Sequence, residues 1–270
     1  MADAIRVLVC GAAGQMGRFV VQAVRQEPEV KLTGAVDITA VGQDAGALAS
    51  GEVTGTPIMD DLDAALERAR PDVMVDFTSP AVVLDNIKTA LEHNVRIVVG
   101  TTGLDDEALE AIEKDLVQRN LGGVVCPNFS LGANLMMLAS ELLAKYYPYA
   151  EIIELHHEKK KDAPSGTALA TAKLIAQARA KAGYQPATPP GPAVAARGLV
   201  SDKIPIHSVR LPGYVANQEV LFSDAGEVVT IKHESTSRVS FMPGVLMAIK
   251  FVMHTTGLTR NLRDILLAQK

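Results

Sequence analysis

The stretch ELHHEKKKDAPSGT at residues 154–167 places two adjacent histidines, three consecutive lysines and an aspartate directly before a Pro-Ser-Gly-Thr turn. A histidine that titrates near neutrality beside a lysine ammonium can donate a proton to a substrate, and the lysine can also bind a carboxylate. The apolar residues before the pair predict a strand, in which His156 and His157 face opposite ways and cannot chelate one metal together. If the extended conformation continues, His156 shares a face with Glu154 and Lys160.

The residues that follow predict a helix over 168–181, since ALATAKLIAQARAK consists largely of strong helix formers. A helix capped by Ser165 or a neighbour presents the N–H groups of Gly166 and Thr167 as an anion site. Two kinds of anion binder beside a proton donor indicate a substrate that bears carboxylates. Arg238, in STSRVSF, is a candidate second ligand for a substrate carboxylate. A role in an inter-domain salt bridge is an equally good explanation for this arginine.

A plainer explanation exists for the same residues. A run of three lysines is usually a solvated basic surface, and adjacent histidines can be ordinary strand residues. This explanation suits Lys159 and Lys161. It suits His156, His157 and Lys160 less well, because they lie between an apolar strand and a capped helix, where unneeded polar groups are costly.

The elements that position these residues fall into two patterns. Short apolar runs such as IRVLVC, DVMVDF and RIVVG alternate with helical segments, which predicts an α/β, Rossmann-like doubly wound parallel sheet over residues 1–129. Longer strands of mixed polarity then predict a second α+β domain with a mixed sheet over residues 130–238. The final segment returns to helix and is predicted to complete the first domain with residues 239–270. GYQPATPPGPAVAARG, rich in Pro, Gly and Ala, predicts a long loop and a candidate arm toward a partner subunit.

The first predicted strand runs into GAAGQMGR, which has glycines at positions 11, 14 and 17 and leads into a helix. A tight turn before a helix N-terminus suits the pyrophosphate of a dinucleotide. Ala13 stands where the usual motif has its second glycine, so an ordinary strand-to-helix turn remains an alternative.

Asp37 closes the second predicted strand, where an acid can accept both hydroxyls of an adenosine ribose and repel a 2′-phosphate. No arginine stands at Gln15 or Ile38 to neutralise such a phosphate. The sequence therefore predicts a preference for NADH over NADPH. An exposed acid at a strand end is the alternative for Asp37 taken alone.

Two further loops follow predicted strands, at the edge where open α/β sheets bind ligands. GTTG at residues 100–103 follows RIVV, and CPNFS at residues 126–130 follows GVV. Small residues allow the backbone to approach a nicotinamide ribose, and Asn128 can hold an amide group. Each loop is also adequate as a simple connection.

Composition excludes several classes of function. The formal charge of −5 gives no general attraction to nucleic acid or to anionic lipid. No apolar run approaches the length of a membrane span, and the N-terminus, with Asp3, lacks the basic leader of a secretory signal, so we expect a cytoplasmic protein. Cys10 and Cys126 lack CxxC spacing and are expected to be reduced core thiols, with no metal site.

These motifs together resemble the dihydrodipicolinate reductase family over nearly the whole chain. ELHHEKKKDAPSGTA resembles the family signature, and GAAGQMGR, VDFTSP, VGTTG and NFSLGAN resemble its cofactor and hinge loops. The resemblance implies reduction of 4-hydroxy-tetrahydrodipicolinate, by way of dihydrodipicolinate, to tetrahydrodipicolinate with NADH or NADPH, in the diaminopimelate route to lysine. It also implies a homotetramer whose second domains associate and whose domains close on a small cyclic dicarboxylate.

The resemblance assigns roles to particular residues. His156 and Lys160 are expected to be catalytic, and the expected substrate contacts are His157, Gly166, Thr167 and, by its own chemistry, Arg238. The expected cofactor contacts are Gly11, Ala12, Ala13, Gly14, Gln15, Met16, Asp37, Gly100, Thr101, Thr102, Cys126, Pro127, Asn128 and Phe129. This chain departs from the family where Gln218 replaces a common histidine.

Two other functions stay open. A two-domain dehydrogenase that acts on an amino-acid semialdehyde would need a nucleophilic cysteine, for which Cys126 is the candidate, although no base is evident beside it. A catalytically silent NAD-binding sensor would keep the glycine turn and Asp37 but would not need the His-His-Lys cluster.

Overall fold

The computed structural model describes residues 3–184 and 194–268, and residues 185–193 of the predicted Pro-rich loop lie outside the described part. The chain divides into two compact units. Unit 1 comprises Met1–Ser130 and Phe241–Lys270, and unit 2 comprises Leu131–Ser240.

Unit 1 is built on a seven-stranded sheet in which every pair of neighbouring strands is parallel. Its strands are β1 (Ile5–Cys10), β2 (Val30–Val36), β3 (Ile58–Met59), β4 (Val73–Asp76), β5 (Arg96–Val99), β6 (Gly122–Val125) and β12 (Gly257–Thr259), in the spatial order β12-β6-β5-β4-β1-β2-β3. The central strands are buried on both faces, which is why they consist largely of Val, Ile, Leu and Met. The predicted doubly wound parallel sheet is confirmed.

Helices connect the strands of unit 1 and cover the sheet. They are α1 (Gln15–Gln26), α2 (Ala45–Ser50), α3 (Leu62–Ala69), α4 (Val83–Glu92), α5 (Asp106–Arg119), α8 (Met242–Val252) and α9 (Leu262–Ala268). In α1, residues 17, 20, 21 and 24 are buried, which is the spacing of one helix face. Aspartates begin several of these helices, since Asp61 and Asp105 each accept a hydrogen bond from a backbone N–H three residues later.

The C-terminal segment corrects one detail of the prediction. Helix α8 packs on β5, β6 and α1, as expected of an apolar helix that needs a sheet to cover. The segment does not remain helical, however, because residues 257–259 form β12, which pairs with β6 at the edge of the sheet. A three-residue strand carries too little pattern to be recognised in a sequence.

Unit 2 is a five-stranded mixed sheet with two helices on one face. Its elements are α6 (Leu131–Leu143), β7 (Tyr149–His156), α7 (Gly166–Lys181), β8 (Leu199–Ser201), β9 (Ile204–Arg210), β10 (Ala216–Asp224), β11 (Glu227–Ser235) and the 3-10 turns Ala195–Arg197 and Arg238–Phe241. The strand order is β11-β10-β7-β9-β8, with β7 and β9 parallel and the other pairs antiparallel. Alternate residues of β7 and β10 pack under α6 and α7, and the predicted mixed sheet is confirmed.

Within residues 3–184 and 194–268, no helix combines the length and the apolar character needed to cross a membrane.

Candidate functional site

The segments expected to bind a dinucleotide meet at one edge of the sheet of unit 1. They follow the carboxyl ends of β1, β2, β5 and β6, and parallel strands place those ends at the same edge. From β1 the chain proceeds to β2 and β3 on one side and later to β4, β5 and β6 on the other. The topological switch point therefore lies between β1 and β4, the position at which open α/β sheets bind ligands.

The glycine turn is packed so tightly that side chains are excluded at two positions. Gly11 has φ +78°, and a Cβ there would lie 2.5 Å from the carbonyl oxygen of Phe77. A Cβ at Gly17 would lie 1.9 Å from the carbonyl oxygen of Gly11, so α1 begins directly against the end of β1. Ala12 and Ala13 are buried, whereas Gly14 and Gln15 are exposed and Met16 is half-buried. The N-terminus of α1 is thus left open toward a ligand, with no side-chain cap on it.

Asp37 lies beside this turn. Its Oδ2 accepts a hydrogen bond from the backbone N–H of Ala13 at 2.9 Å, and its Oδ1 accepts from the N–H and the hydroxyl of Thr39 at 2.9 and 2.8 Å. The neighbouring Ile38 is 89% exposed. The acid and the turn therefore form one site, which suits an adenosine ribose next to a pyrophosphate.

Asp76 is a residue of this edge that sequence reasoning did not single out. It is 0% exposed and ends β4. Its Oδ1 accepts from the hydroxyls of Thr78 at 2.8 Å and Thr101 at 2.6 Å, and its Oδ2 accepts from the amide of Asn86 at 2.8 Å. One buried carboxylate thus holds the loop after β4 and the loop after β5 together. An acid within the otherwise apolar run VMVDF was the available signal.

The loops after β5 and β6 are shaped around Phe77. A Cβ at Gly100 would lie 2.1 Å from the Phe77 ring, so only glycine allows that contact. Phe129 is buried, with its ring centroid 5.9 Å from that of Phe77. Thr101 is buried on Asp76, whereas Thr102 is exposed.

The CPNFS loop closes on itself through short-range hydrogen bonds. The Cys126 thiol donates to the carbonyl oxygen of Asn128 at 3.1 Å, and the Asn128 side-chain oxygen accepts from the N–H of Ser130 at 2.9 Å. Pro127 is exposed. Burial raises the pKa of the Cys126 thiol, so it is protonated at neutral pH. Both cysteines are free and buried, as predicted.

In unit 2, His156 lies at the end of β7 in contact with a buried ion pair. Its Nδ1 lies 2.5 Å from Oε2 of Glu154, which is 0% exposed. Arg210, at the end of β9, donates to Oε2 of Glu154 at 2.9 Å and to Oε1 at 2.8 Å. Sequence reasoning named His156 but assigned no role to Glu154 or Arg210. Burial alone raises the pKa of Glu154, but hydrogen bonds from His156, Arg210 and Ser208 bring it down to about 2.

The position of Lys160 corrects the expected strand pattern. Strand β7 ends at His156, and residues 158 and 159 form a turn in which the N–H of Lys160 donates to the carbonyl oxygen of His157 at 3.2 Å. Lys160 therefore does not share a strand face with His156. The ammonium of Lys160 lies 2.8 Å from a carboxylate oxygen of Asp162, and the Lys160 side chain is 22% exposed. The position of Lys160 is therefore set by this turn and not by strand alternation.

Helix α7 begins where the sequence predicted an anion site. Ser165 is the N-cap and accepts a hydrogen bond from the N–H of Ala168 at 3.2 Å, while its own N–H donates to Oε1 of Glu154 at 3.3 Å. A Cβ at Gly166 would meet no atom within 4 Å, so the space at this helix N-terminus is open. Thr167 and His157 are half-buried.

Two other residues noted in the sequence occupy defined places in unit 2. Gln218 is buried on β10 opposite Glu154, and its amide donates to the Thr171 hydroxyl of α7 at 2.9 Å. The Gln218 side chain therefore faces its own chain's helix. Arg238 is half-buried and begins the 3-10 turn Arg238–Phe241. In the described part of the chain, no three His, Cys, Asp or Glu side chains are grouped to hold a metal ion.

Comparisons with known proteins identify one family over nearly the whole chain. Residues 5–129 match the family model described as "Dihydrodipicolinate reductase, N-terminus", and residues 132–266 match "Dihydrodipicolinate reductase, C-terminus". The chain is 46% identical over 266 residues to the 4-hydroxy-tetrahydrodipicolinate reductase of Moorella thermoacetica, covering 98% of this chain and 99% of that protein. It is 42% identical over 272 residues to the protein of the same name from Synechocystis, covering 98% of each.

Solved structures show the same similarity. A dihydrodipicolinate reductase from Paenisporosarcina sp. TG-14, described as dipicolinate-bound, superposes with a TM-score of 0.84 at 39% identity, covering 97% of this chain and 99% of that one. An amine dehydrogenase from Mycobacterium smegmatis gives a TM-score of 0.64 at 15% identity, covering 94% of each chain, which shows a shared fold alone.

Proposed function

Since the chain belongs to the dihydrodipicolinate reductase family, we infer that it is a nicotinamide-dependent oxidoreductase of the diaminopimelate route to lysine. It reduces 4-hydroxy-tetrahydrodipicolinate, by way of dihydrodipicolinate, to tetrahydrodipicolinate. Unit 1 binds the cofactor and unit 2 binds the cyclic dicarboxylate. The observation that carries this proposal is the ionised Glu154 beside His156, in the same segment as Lys160 and the open N-terminus of α7.

The residues at the edge of the unit 1 sheet fit a dinucleotide. The N-terminus of α1 has no side-chain cap, and the close packing at Gly11 and Gly17 leaves its N–H groups accessible to a pyrophosphate. Asp37 holds the adenosine ribose. The backbones of residues 100–102 and 126–129 line the nicotinamide ribose, and Asn128 orients the carboxamide. When bound, the nicotinamide supplies the hydride.

The preference for NADH over NADPH follows from the charge at this site. Asp37 repels a 2′-phosphate, and the exposed Ile38 offers no cation to neutralise one. Comparing kcat/KM for the two cofactors tests the proposal, and a higher value for NADPH would disprove it.

His156 and Lys160 supply the proton that accompanies the hydride. The ammonium of Lys160, the N–H groups of Gly166 and Thr167, His157 and Arg238 bind the two carboxylates. The ion pair between Lys160 and Asp162 is partly exposed, so a substrate carboxylate can replace the Asp162 carboxylate at little cost.

A coupled assay tests the function directly. Purified protein is mixed with aspartate semialdehyde, pyruvate, the synthase that precedes this step and NADH, and the loss of reduced-nicotinamide absorbance is followed. We expect oxidation of NADH only when the synthase is present. Oxidation with aspartate semialdehyde alone would instead indicate a semialdehyde dehydrogenase, and binding of NADH without turnover would indicate a sensor.

The semialdehyde alternative is disfavoured by the state of Cys126. That chemistry needs a thiolate, but burial raises the pKa of the Cys126 thiol, which donates a hydrogen bond to the carbonyl oxygen of Asn128. The sensor alternative leaves the Glu154, His156 and Arg210 cluster without a purpose.

We also propose that the protein is a cytoplasmic homotetramer that associates through unit 2. Tyr149, Val200 and Val228 are exposed apolar residues on the sheet of this unit. Light scattering on the purified protein should give four times the mass of one chain, and a monomer mass would refute the assembly. Cell fractionation tests the location, and recovery in a membrane or periplasmic fraction would refute it.

A further inference from the structure

Glu154 is a carboxylate at a position where the alternation of β7 would suit an apolar residue. Ala150 and Ile152 precede it on the same face and belong to the core of unit 2, and Glu154 itself is fully buried. Removing a carboxylate from water is costly unless the charge is paired and hydrogen-bonded. Packing alone therefore does not account for this residue.

The hydrogen bonds of Glu154 lead to three parts of the candidate site. Oε2 lies 2.5 Å from Nδ1 of His156 and 2.9 Å from Nη1 of Arg210. Oε1 accepts from Nη2 of Arg210 at 2.8 Å and from the N–H of Ser165, the cap of α7, at 3.3 Å. One carboxylate thus fixes the ring of His156 and the start of the helix that offers the anion site.

The protonation state of this carboxylate decides the tautomer of His156. Arg210 donates one hydrogen bond to each oxygen of the Glu154 carboxylate, which is the contact of an ionised carboxylate, so at neutral pH it has no proton to donate. Burial alone raises the pKa of Glu154, but its hydrogen bonds lower it to about 2. The short contact with Nδ1 must then be a hydrogen bond from Nδ1–H to Oε2. Nε2 is left as the ring nitrogen that gains and loses a proton.

We propose that Glu154, held in place by Arg210, is a positioning residue that keeps His156 in the Nδ1–H tautomer and makes Nε2 the atom that protonates the substrate. This inference rests on the proposed function of His156 as proton donor. In the step, the Nε2–H bond of the imidazolium breaks as the proton bonds to the substrate, while reduced nicotinamide provides the hydride. The neutral imidazole keeps its proton on Nδ1, and water reprotonates Nε2.

Arg210 links the same arrangement to the lysine. Its Nη2 also donates to the carbonyl oxygen of Asp162 at 2.7 Å, and the Asp162 carboxylate accepts from the ammonium of Lys160 at 2.8 Å. The guanidinium therefore holds both Glu154 and the backbone of the turn that carries Lys160. Loss of Arg210 should disturb both proposed proton donors together.

The tautomer of the His156 ring can be measured without an assay of enzyme activity. Nitrogen-15 NMR of the protein labelled at its histidine rings distinguishes a protonated from an unprotonated ring nitrogen, and a His156→Asn variant identifies the His156 signals. When the ring is neutral, we expect Nδ1 to be protonated and Nε2 unprotonated. The opposite tautomer in the wild-type protein would overturn the proposal, whatever reaction the protein catalyses.

Kinetics test the consequence. Glu154→Gln keeps the size of the side chain but removes its charge, and we expect kcat to fall about 10- to 100-fold with KM for substrate and cofactor changed less than about threefold. Glu154→Asp keeps the carboxylate and should recover part of the lost kcat. Unchanged kcat in Glu154→Gln would overturn the proposal, as would a loss confined to KM.

The chain offers a matched control on the same strand. Glu151 lies on the other face of β7 and contacts His207 and Arg197, so it is also a glutamate paired with a histidine and an arginine. Glu151→Gln should leave kcat within about twofold of wild type. An equal loss of kcat in the Glu151→Gln and Glu154→Gln variants would indicate general destabilisation and refute the positioning role.

If Glu154→Gln fails to fold, the kinetics of Glu154→Asp and the tautomer of the wild-type protein still test the proposal. Wild-type protein that shows the Nδ1–H tautomer but no reductase activity would refute the proposed function alone.

Discussion

The carboxylate of Asp37 accepts a hydrogen bond from the backbone N–H of Ala13 at 2.9 Å. The acid that follows β2 is therefore attached to the glycine turn that follows β1, across two neighbouring parallel strands. This contact joins the acid proposed to hold the ribose to the turn proposed to hold the pyrophosphate, so we expect the residue beside Asp37 to influence cofactor choice.

Adding a positive charge beside Asp37 should improve the use of NADPH. We expect Ile38→Arg to raise kcat/KM for NADPH about tenfold, equivalent to ~1.4 kcal/mol, because a guanidinium can bind the 2′-phosphate through charge-assisted hydrogen bonds. The same substitution at Val53, another exposed apolar residue of unit 1, adds equal charge elsewhere and should leave the value unchanged. An equal gain in both variants would indicate nonspecific attraction.

Removal of the Lys160 ammonium should slow the reaction far more than removal of its neighbour. We expect Lys160→Ala to reduce kcat/KM by roughly 100-fold or more, because a proton donor and a carboxylate ligand are lost together. Lys159 is exposed in the preceding turn, and Lys159→Ala serves as the control with near wild-type kinetics. Similar kinetics in the two variants would remove Lys160 from the mechanism.

Gly166→Ala should separate binding from stability. The added Cβ meets no protein atom, so the thermal midpoint should stay level or rise slightly, since alanine favours the first turn of α7 by about 0.4–1 kcal/mol. The same methyl group occupies the space proposed for a substrate carboxylate, so KM for the substrate should rise about tenfold. An unchanged KM would place the substrate elsewhere.

Gly17→Ala, unlike Gly166→Ala, should reduce stability as well as ligand binding. Its Cβ would lie 1.9 Å from the carbonyl oxygen of Gly11, so α1 must move away from β1. We expect a lower thermal midpoint together with weaker NADH binding, measured by calorimetry. Wild-type stability in this variant would show that the turn has room for a Cβ at residue 17.

Asp44 should contribute to stability in a pH-dependent way. Burial alone raises its pKa, but hydrogen bonds from the N–H groups of Ala47 and Thr54 lower it to about 2. A carboxyl whose pKa is lower in the folded state than in the unfolded one stabilises the fold above the unfolded value, and this contribution is lost as pH falls through the folded pKa.

Urea unfolding of Asp44→Ala measures this contribution. At pH 7 we expect a loss of about 0.5–2 kcal/mol, the usual value of a helix N-cap, because Asp44 caps α2. The difference between wild type and variant should shrink between pH 4 and about pH 2. A difference that is constant over this range would mean that the charge of Asp44 is not involved.

Much of the fold could be predicted because its elements carry strong local patterns. Parallel strands buried on both faces are continuous apolar runs, and the helices between them show one buried face. The short strand β12 and the end of β7 at His156 could not be predicted in this way, since a three-residue strand and a strand terminus depend on pairing with distant residues.

The candidate site also contains residues that could be predicted from the sequence and residues that could not. The glycine turn, Asp37 and the signature around His156 were identifiable from residue type and order. The carboxylates that organise them were not, because Asp76 acts on Thr101, 25 residues away, and Arg210 reaches Glu154 across 56 residues. Neither separation leaves a local pattern.

The amino-acid sequence by itself determined which side chains are available for chemistry and which elements carry them, because hydrophobic periodicity, turn residues and helix caps act over a few neighbouring residues. Only the tertiary structure decided that the glutamate sharing a strand face with the first histidine is fully buried and hydrogen-bonded to it, that an arginine from another strand keeps it ionised, and that the strand ends before the lysine. Burial and the contact with Arg210 depend on segments that are far from Glu154 in the chain, and they fix the charge and the tautomer on which the proposed proton transfer depends.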